Sequence, residues 1–191
     1  MKIAILGWGS LIWQPKDLKF NKEIGWQNDG PMLPIEFARI SKDSRLTLVI
    51  TPEGTEVQTL FAVSKYETRE EAVLDLAVRE GSGRNSIGYY DKSKNVFSHN
   101  VFFKQNIIDW INTNDFDAVI WTNLGENWDI KNEKGEIIRT INSDNRIDYL
   151  KELKGDKNVL AEEYIRKTPE QIRTKYRGLI EEELNWKPIN K

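Results

Sequence analysis

The chain has 191 residues with 28 basic and 30 acidic side chains, a formal net charge of −2, one histidine and no cysteine. The lack of cysteine excludes disulfide bonds, thiolate nucleophiles and cysteine-based zinc sites. The charges are interspersed, so no basic surface predicts nucleic-acid binding, and no apolar run approaches the roughly 20 residues that span a bilayer. We therefore expect a cytoplasmic protein without a nucleic-acid or membrane partner.

The first half of the chain begins with a buried strand and a long loop. Residues 3–6 form an apolar run that ends at Gly7, which is typical of a central strand. Residues 8–30 contain several glycines and Pro15, and they predict a loop with little regular structure. Three strands with alternating side chains and short turns between them then predict an antiparallel meander: residues 34–40, 45–50 and 57–64.

A helix is predicted over residues 68–80. Thr68 and Glu71 have the spacing of a capping box, and Gly81 is the residue type that commonly ends a helix. The apolar residues of this segment recur at helical spacing and predict one buried stripe: Val73, Leu76 and Ala77.

The second half alternates short strands and helices without a repeat or a linker. Strands are predicted at residues 87–90 and 118–124, with a polar loop over 125–145. Helices are predicted at 106–112, 146–153 and 158–166, followed by a last helix that begins at Pro169 with Thr168 as its N-cap. The pattern indicates an α+β fold and a single domain over residues 1–191.

A glycine-containing segment, Gly7-Trp8-Gly9-Ser10-Leu11-Ile12, follows the first strand. It is not a dinucleotide-binding loop, because its sixth position is Ile12, Pro15 interrupts the helix that should follow, and no second strand–helix unit supplies an acidic ribose partner. Gly9 lacks a side chain, so a ligand could approach the main chain closely. If the ligand is an anion, successive main-chain N–H groups could donate hydrogen bonds to it. Composition alone favours the alternative, an ordinary tight turn with Trp8 and Trp13 in the core.

Glu80 ends the predicted helix on its apolar side. It follows Leu76 by four residues, on the buried stripe, and it lies in the last turn, where the helix dipole disfavours negative charge. Both effects disfavour the charged carboxylate, which suits a group that accepts and returns a proton near neutral pH. The neighbouring Arg79 lies about 100° around the helix and is not expected to pair with Glu80. A frayed helix end would instead leave Glu80 in solvent.

His99 is the one histidine that a Ser-His-Asp arrangement could use. It lies in a polar run over residues 94–100, and we interpret it as a solvated loop or strand residue.

The glycine segment and the carboxylate together resemble the γ-glutamylcyclotransferase family, especially its ChaC-type branch. Residues 7–13 stand where that family has a Tyr-Gly-Ser-Leu loop after the first strand. Arg79-Glu80 and the later Gly88-Tyr89 resemble the Arg-Glu pair and Gly-Tyr of the branch, and residues 37–41 are similar to its Phe-x-Arg-x-Ser stretch. The resemblance covers residues 1–90, and Trp8 replaces the loop tyrosine of the family.

The resemblance implies a small mixed β-barrel wrapped by helices, and one reaction that needs no metal or organic cofactor. The free α-amine of a γ-glutamyl group attacks its own γ-carbonyl, which releases 5-oxoproline and an amine or amino acid. Glu80 would act first as base and then as acid. The main-chain N–H groups of Gly9, Ser10 and Leu11 would bind the substrate carboxylate or the developing oxyanion. Trp8 and Tyr89 would form walls of the pocket.

Two other functions remain open at this point. The same segment could bind a γ-glutamyl group or another carboxylate without turnover, because a fold does not determine a function. Alternatively, the replacement by Trp8 could adapt the pocket to a different amide-processing reaction. The sequence does not distinguish glutathione, a γ-glutamyl amino acid and a γ-glutamylamine as substrates, nor does it indicate an oligomeric state.

Overall fold

The computed structural model describes residues 1–189. It divides into two units, each built from two stretches of the chain. Unit 1 comprises Met1–Leu33 and Gln58–Leu124, and unit 2 comprises Pro34–Val57 and the chain from Gly125 onward. The prediction of a single domain stays a prediction, since interleaved units can belong to one domain. In chain order the strands and helices are β1 (Ile3–Gly7), β2 (Met32–Ile40), β3 (Leu46–Ile50), β4 (Thr55–Gln58), β5 (Leu60–Val63), α1 (Arg69–Glu80), β6 (Ile87–Asp91), β7 (Val96–Phe97), α2 (Lys104–Asn112), β8 (Ala118–Thr122), β9 (Asp129–Lys131), β10 (Ile137–Thr140), α3 (Arg146–Glu152), α4 (Asp156–Lys167) and α5 (Lys175–Leu184).

Unit 1 is built on a five-stranded sheet with the order β5-β1-β8-β6-β7. β1 runs parallel to β8 and antiparallel to β5, while β6 is antiparallel to both β8 and β7. Every residue of β1 is buried, as expected of a continuous apolar strand inside a mixed sheet. The α+β class is therefore confirmed. The sheet ends at β5 and β7, and the described residues form no closed barrel, so the predicted β-barrel is not found.

α1 begins and ends where the sequence predicts. The Thr68 side chain accepts a hydrogen bond from the Glu71 N–H, which caps the first turn. Gly81 ends the helix in the left-handed conformation, with φ 61°, and its N–H bonds back to the last turn. The apolar stripe of α1 packs into the core of unit 1 through Ala72, Val73, Leu76 and Ala77.

Unit 2 contains a three-stranded sheet with the order β3-β2-β4. β2 and β3 pair antiparallel, which confirms the first hairpin of the predicted meander. The rest of the meander is wrong, because the strand predicted over residues 57–64 is divided at Thr59 into β4 and β5, which join different sheets.

The division at Thr59 has a local cause. The Thr59 N–H donates to the Pro31 carbonyl at 3.1 Å, and its hydroxyl donates to the same oxygen at 2.7 Å. The Gly30 N–H in turn donates to the Thr59 carbonyl at 3.0 Å. Alternation of side chains could not reveal this interruption, because Thr59 is a good strand residue whose partners lie in the long loop.

The second half departs from prediction in three places, the first of which is the short, unpredicted strand β7. The expected polar loop contains an antiparallel hairpin of β9 and β10. α5 begins at Lys175 behind the N-cap Thr174, six residues later than predicted from the Thr168-Pro169 pair. The guanidinium of Arg177 accounts for the delay, because it donates to carbonyls that a longer helix would use in its first turns: those of Thr168 at 2.9 Å, Pro169 at 2.5 Å and Ile172 at 3.0 Å.

α3 and α4 agree with prediction to within a few residues. Across residues 1–189, no helix combines the length and the apolar character needed to cross a bilayer.

Candidate functional site

The glycine segment after β1 folds into one helical turn. The Ile12 N–H donates to the Gly9 carbonyl at 3.0 Å, and the Gln14 N–H donates to the Ser10 carbonyl at 2.8 Å. The first N–H groups of this turn are those of Gly9, Ser10 and Leu11. None of them donates a hydrogen bond to another residue within residues 1–189. The first N–H groups of a turn lack acceptors within it, so these three remain available to a ligand or water, and their role in binding stays a prediction.

The side chains of this turn serve different purposes. Trp8 and Leu11 are buried, and Leu11 belongs to the hydrophobic core of unit 1. Ser10 is only half-buried, so its hydroxyl lies at the margin of the core. Leu11 can therefore contact a polar ligand only through its main chain, whereas Ser10 offers a hydroxyl group as well.

Arg79 joins this turn to Glu80. Its Nη1 donates to Glu80 Oε1 at 2.5 Å, and its Nη2 donates to the Gln14 carbonyl at 2.8 Å and to Ser10 Oγ at 3.3 Å. The expectation that Arg79 and Glu80 do not pair is wrong. The angle of about 100° describes where side chains leave a helix, and a long arginine side chain at the last turn can bend back across the helix end.

Both charged side chains are largely removed from water. Relative side-chain exposure is 7% for Arg79 and 15% for Glu80, so Glu80 is not the solvated residue that a frayed helix end would give. An ion pair at this depth persists only when its partners satisfy one another. We call the turn over residues 8–14 together with Arg79 and Glu80 the turn–helix site.

Three buried polar atoms in this part of unit 1 lack a hydrogen-bond partner among the described residues. They are Arg79 Nε, Ser82 Oγ just beyond α1, and Nε1 of Trp26, whose ring lies against Gly7. Buried polar groups are normally paired, so each of these atoms is a candidate partner for a water molecule or a ligand atom.

Tyr89 lies at the opposite end of α1. Its ring faces the guanidinium of Arg69, 4.3 Å from the ring centroid. Arg69 and Glu80 are the first and last residues of α1, and about 1.5 Å per residue separates them by about 16 Å along the helix. The structure brings Glu80 together with the turn over residues 8–14, but it does not bring Tyr89 to them.

Sequence reasoning assigned no role to Arg79, although a signal was present. Arg79 follows Leu76 by three residues and Ala72 by seven, which places it on the buried stripe of α1. A charged residue on an apolar stripe needs buried partners, and this requirement predicts a local polar network.

Comparison with known proteins gives one match. The model of a family described as "Protein of unknown function (DUF2972)" matches residues 29–187, which is more than four fifths of the chain. Neither the curated proteins nor the solved structures that were compared contain a match.

The match overturns the resemblance to the γ-glutamylcyclotransferase family, since nothing in it links the chain to that family. The features that carried the resemblance are common local structures. A strand that ends in a glycine turn and a charged pair before a helix-ending glycine both recur in unrelated proteins. The matched residues include Glu80 and Tyr89 but not the turn over residues 8–14. The chain belongs to the uncharacterised DUF2972 family.

Proposed function

We propose that the turn–helix site binds a small amide that carries an amino-acid group, and that Glu80 transfers protons in its cleavage. The reaction that we propose is cyclisation of a γ-glutamyl amide, with release of 5-oxoproline and an amine or amino acid. The observation that carries the proposal is the bridge of Arg79 between Glu80 and Ser10, which holds a carboxylate beside unpaired main-chain donors.

Two complementary groups support an amino-acid ligand. The N–H groups of Gly9, Ser10 and Leu11 suit a carboxylate, and the nearby Arg79 guanidinium adds positive charge. Glu80 suits an ammonium group, which would lie a few ångströms from the carboxylate of the same ligand. The buried Trp8 would form an apolar wall, while Tyr89 lies against Arg69 at the opposite end of α1 from Glu80 and takes no part.

The proposed reaction needs only proton transfers from the protein. Glu80 removes a proton from the α-ammonium group, and the free amine attacks the γ-carbonyl carbon of the same molecule. The new C–N bond closes a five-membered ring, Glu80 returns the proton to the leaving nitrogen, and the old C–N bond breaks. The ring nitrogen passes its second proton to the released amine, which leaves as an ammonium group. Since the attack is intramolecular, positioning the bent substrate removes much of the entropic barrier.

Release of 5-oxoproline from a panel of γ-glutamyl compounds tests this proposal. The panel contains glutathione, a γ-glutamyl amino acid and a γ-glutamylamine. We expect Glu80→Gln to keep the fold and to lose at least about a hundredfold in turnover, the usual scale for general-base catalysis. The control is Glu71→Gln, the same change in the first turn of α1, where glutamine also completes a capping box. Equal turnover in both variants would remove Glu80 from the mechanism.

Binding without turnover is a second candidate, and one specific observation favours it. The carboxylate of Glu80 already has a close cationic partner in Arg79, so the pair can serve as a fixed polar wall. Saturable binding of a γ-glutamyl compound without product from any member of the panel would identify this function. Product from a different amide and none from the panel would identify another amide-processing reaction.

A further inference from the structure

Unit 1 contains a concave region that is separate from the turn–helix site. Its volume is about 300 Å³, at the lower end of the range for small-molecule pockets. None of residues 8–14, Arg79 or Glu80 lines it. The residues used below all belong to its lining: Arg69, Arg84, Asn85, Tyr89, Ser98 and His99.

A chain of hydrogen bonds crosses this cavity. Ser98 Oγ lies 2.7 Å from His99 Nδ1, and His99 Nε2 lies 3.1 Å from the main-chain oxygen of Asn85. A carbonyl oxygen only accepts, so Nε2 carries the hydrogen and Nδ1 presents its lone pair. The Ser98 hydroxyl therefore donates to His99 Nδ1. His99 lies in a bend and is half-buried, in line with its interpretation as a loop residue, but both of its ring nitrogens are engaged.

This arrangement has the parts of an activated serine. A serine nucleophile requires a base within hydrogen-bond distance and a third group that orients the base. His99 is the base here, and the Asn85 carbonyl occupies the place of the carboxylate in the familiar triad. The carbonyl would also accept from the imidazolium that forms when His99 takes the serine proton.

The serine oxygen is held from its other side as well. The Tyr89 N–H donates to Ser98 Oγ at 2.9 Å, and the Ser98 N–H donates to the Tyr89 carbonyl at 3.0 Å. Ser98 follows β7 directly, so the sheet fixes its main chain beside β6. The N–H of Tyr89 would stabilise negative charge that develops on Oγ as the proton leaves.

The charges around the cavity indicate an anionic group on the ligand. Arg69 is occupied, because its guanidinium donates to Asp91 at 2.7 Å and pairs with Glu70. Arg84, in contrast, is exposed and has no ion pair or side-chain hydrogen bond with any residue that the structure describes. A carboxylate on the ligand would complete the coordination of this guanidinium.

From this geometry we propose that Ser98 and His99 form an acyl-transfer site for small esters that carry a carboxylate. Ser98 Oγ attacks the ester carbonyl carbon while its proton passes to His99 Nδ1. The ester C–O bond breaks, and His99 gives that proton to the departing alcohol. Water then attacks the acyl-serine, its proton passes through His99 to Ser98 Oγ, and the carboxylic acid leaves.

Covalent labelling of the full-length protein tests this proposal. A small alkyl fluorophosphonate forms an O–P bond with an activated serine and releases fluoride, and peptide mass mapping locates the adduct. We expect the adduct on Ser98 of the wild-type protein. An adduct confined to other residues, or none under conditions that label a serine esterase, would overturn the proposal. The test needs no variant, so a folding defect cannot obscure it.

Two variants then test whether His99 acts as the base for Ser98 or only lies next to it. His99→Gln removes the base and should slow labelling by at least about a hundredfold. Ser93→Ala changes a serine on the same hairpin that bonds to Asp91 rather than to a histidine, and should leave the rate unchanged. Labelling of Ser98 is measured independently of 5-oxoproline release, so failure here and failure of the proposed function can be told apart. An unchanged rate in His99→Gln would refute the mechanism.

A matched pair of esters tests the role of Arg84. 4-Carboxyphenyl acetate carries a carboxylate, and its methyl ester does not. We expect the wild-type protein to hydrolyse the charged compound with the lower KM, and Arg84→Gln to lose that difference at similar kcat. A preference that persists in Arg84→Gln would contradict the assignment of Arg84 to the ligand carboxylate.

Discussion

Arg79 shows how one side chain can organise a polar site inside an apolar environment. Its guanidinium donates to the adjacent Glu80 and to Ser10 and Gln14, which precede Arg79 by 69 and 65 residues. The carboxylate and the carbonyl oxygen would each lose hydration without compensation if the guanidinium were removed. Arg79 is therefore expected to be important for stability, whatever reaction the site performs.

Arg79→Ala should lower the free energy of unfolding by about 3 kcal/mol, the usual cost of leaving a buried charge without its partner. Arg84→Ala is the matched control, because Arg84 is exposed and lies five residues away in the same unit. An exposed arginine should change stability by no more than about 0.5 kcal/mol. Urea unfolding monitored by tryptophan fluorescence gives both values, and equal losses would contradict this account of Arg79.

Tyr149 predicts a pH dependence at the alkaline end. Burial raises its pKa to about 12, although its hydroxyl donates to the Ser44 carbonyl at 2.7 Å. Because the folded-state pKa exceeds the ordinary value of 10.0, the contribution is fully present below about pH 10 and is lost as pH rises toward 12. The difference in unfolding free energy between wild type and Tyr149→Phe should shrink by about 2 kcal/mol between about pH 9 and pH 12. A constant difference across this range would contradict the assignment.

The position of Glu80 depends on where α1 ends. Gly81 has φ 61° and continues the chain in a conformation that residues with a side chain adopt at a cost. The cap also directs the N–H groups of Gly81 and Ser82 toward carbonyls of the last turn. Glu80 therefore stays at the helix end instead of unwinding into solvent.

Gly81→Ala should destabilise the protein by about 1 kcal/mol through its backbone conformation alone. Gly83→Ala is the control, since both glycines have open space where a side chain would form, but only Gly81 has a positive φ. Thermal unfolding should show a lower midpoint for Gly81→Ala and little change for Gly83→Ala. If the two variants unfold together, the conformation of Gly81 does not limit the helix.

Elements with a complete local signal could be predicted from the sequence. The limits of α1 follow from Thr68 and Gly81, because both caps act within a few residues. The interruption at Thr59 and the late start of α5 could not be predicted in this way. They depend on Pro31 and Arg177, and the sequence does not show that these residues will reach the carbonyls and N–H groups concerned.

At the scale of the whole molecule, the site also combines features with a local sequence signal and contacts between distant residues that the sequence does not show. The turn over residues 8–14 and Glu80 are linked through Arg79, since a strand end and the end of a neighbouring helix can converge in one unit. Tyr89 lies at the other end of α1, and the hydrogen bonds of His99 depend on Asn85, fourteen residues earlier in the chain. Periodicity identifies the face of an element, but not which ends of different elements meet.

The central claim is that Glu80 and the N–H groups of the turn act on one ligand. The most direct measurement is amide NMR of ¹⁵N-labelled Glu80→Gln protein titrated with a γ-glutamyl compound. The proposal predicts that the signals of Gly9, Ser10 and Leu11 shift in a saturable way while the compound stays intact. Signals from these three residues that do not move, or a compound that is consumed at the wild-type rate, would contradict it.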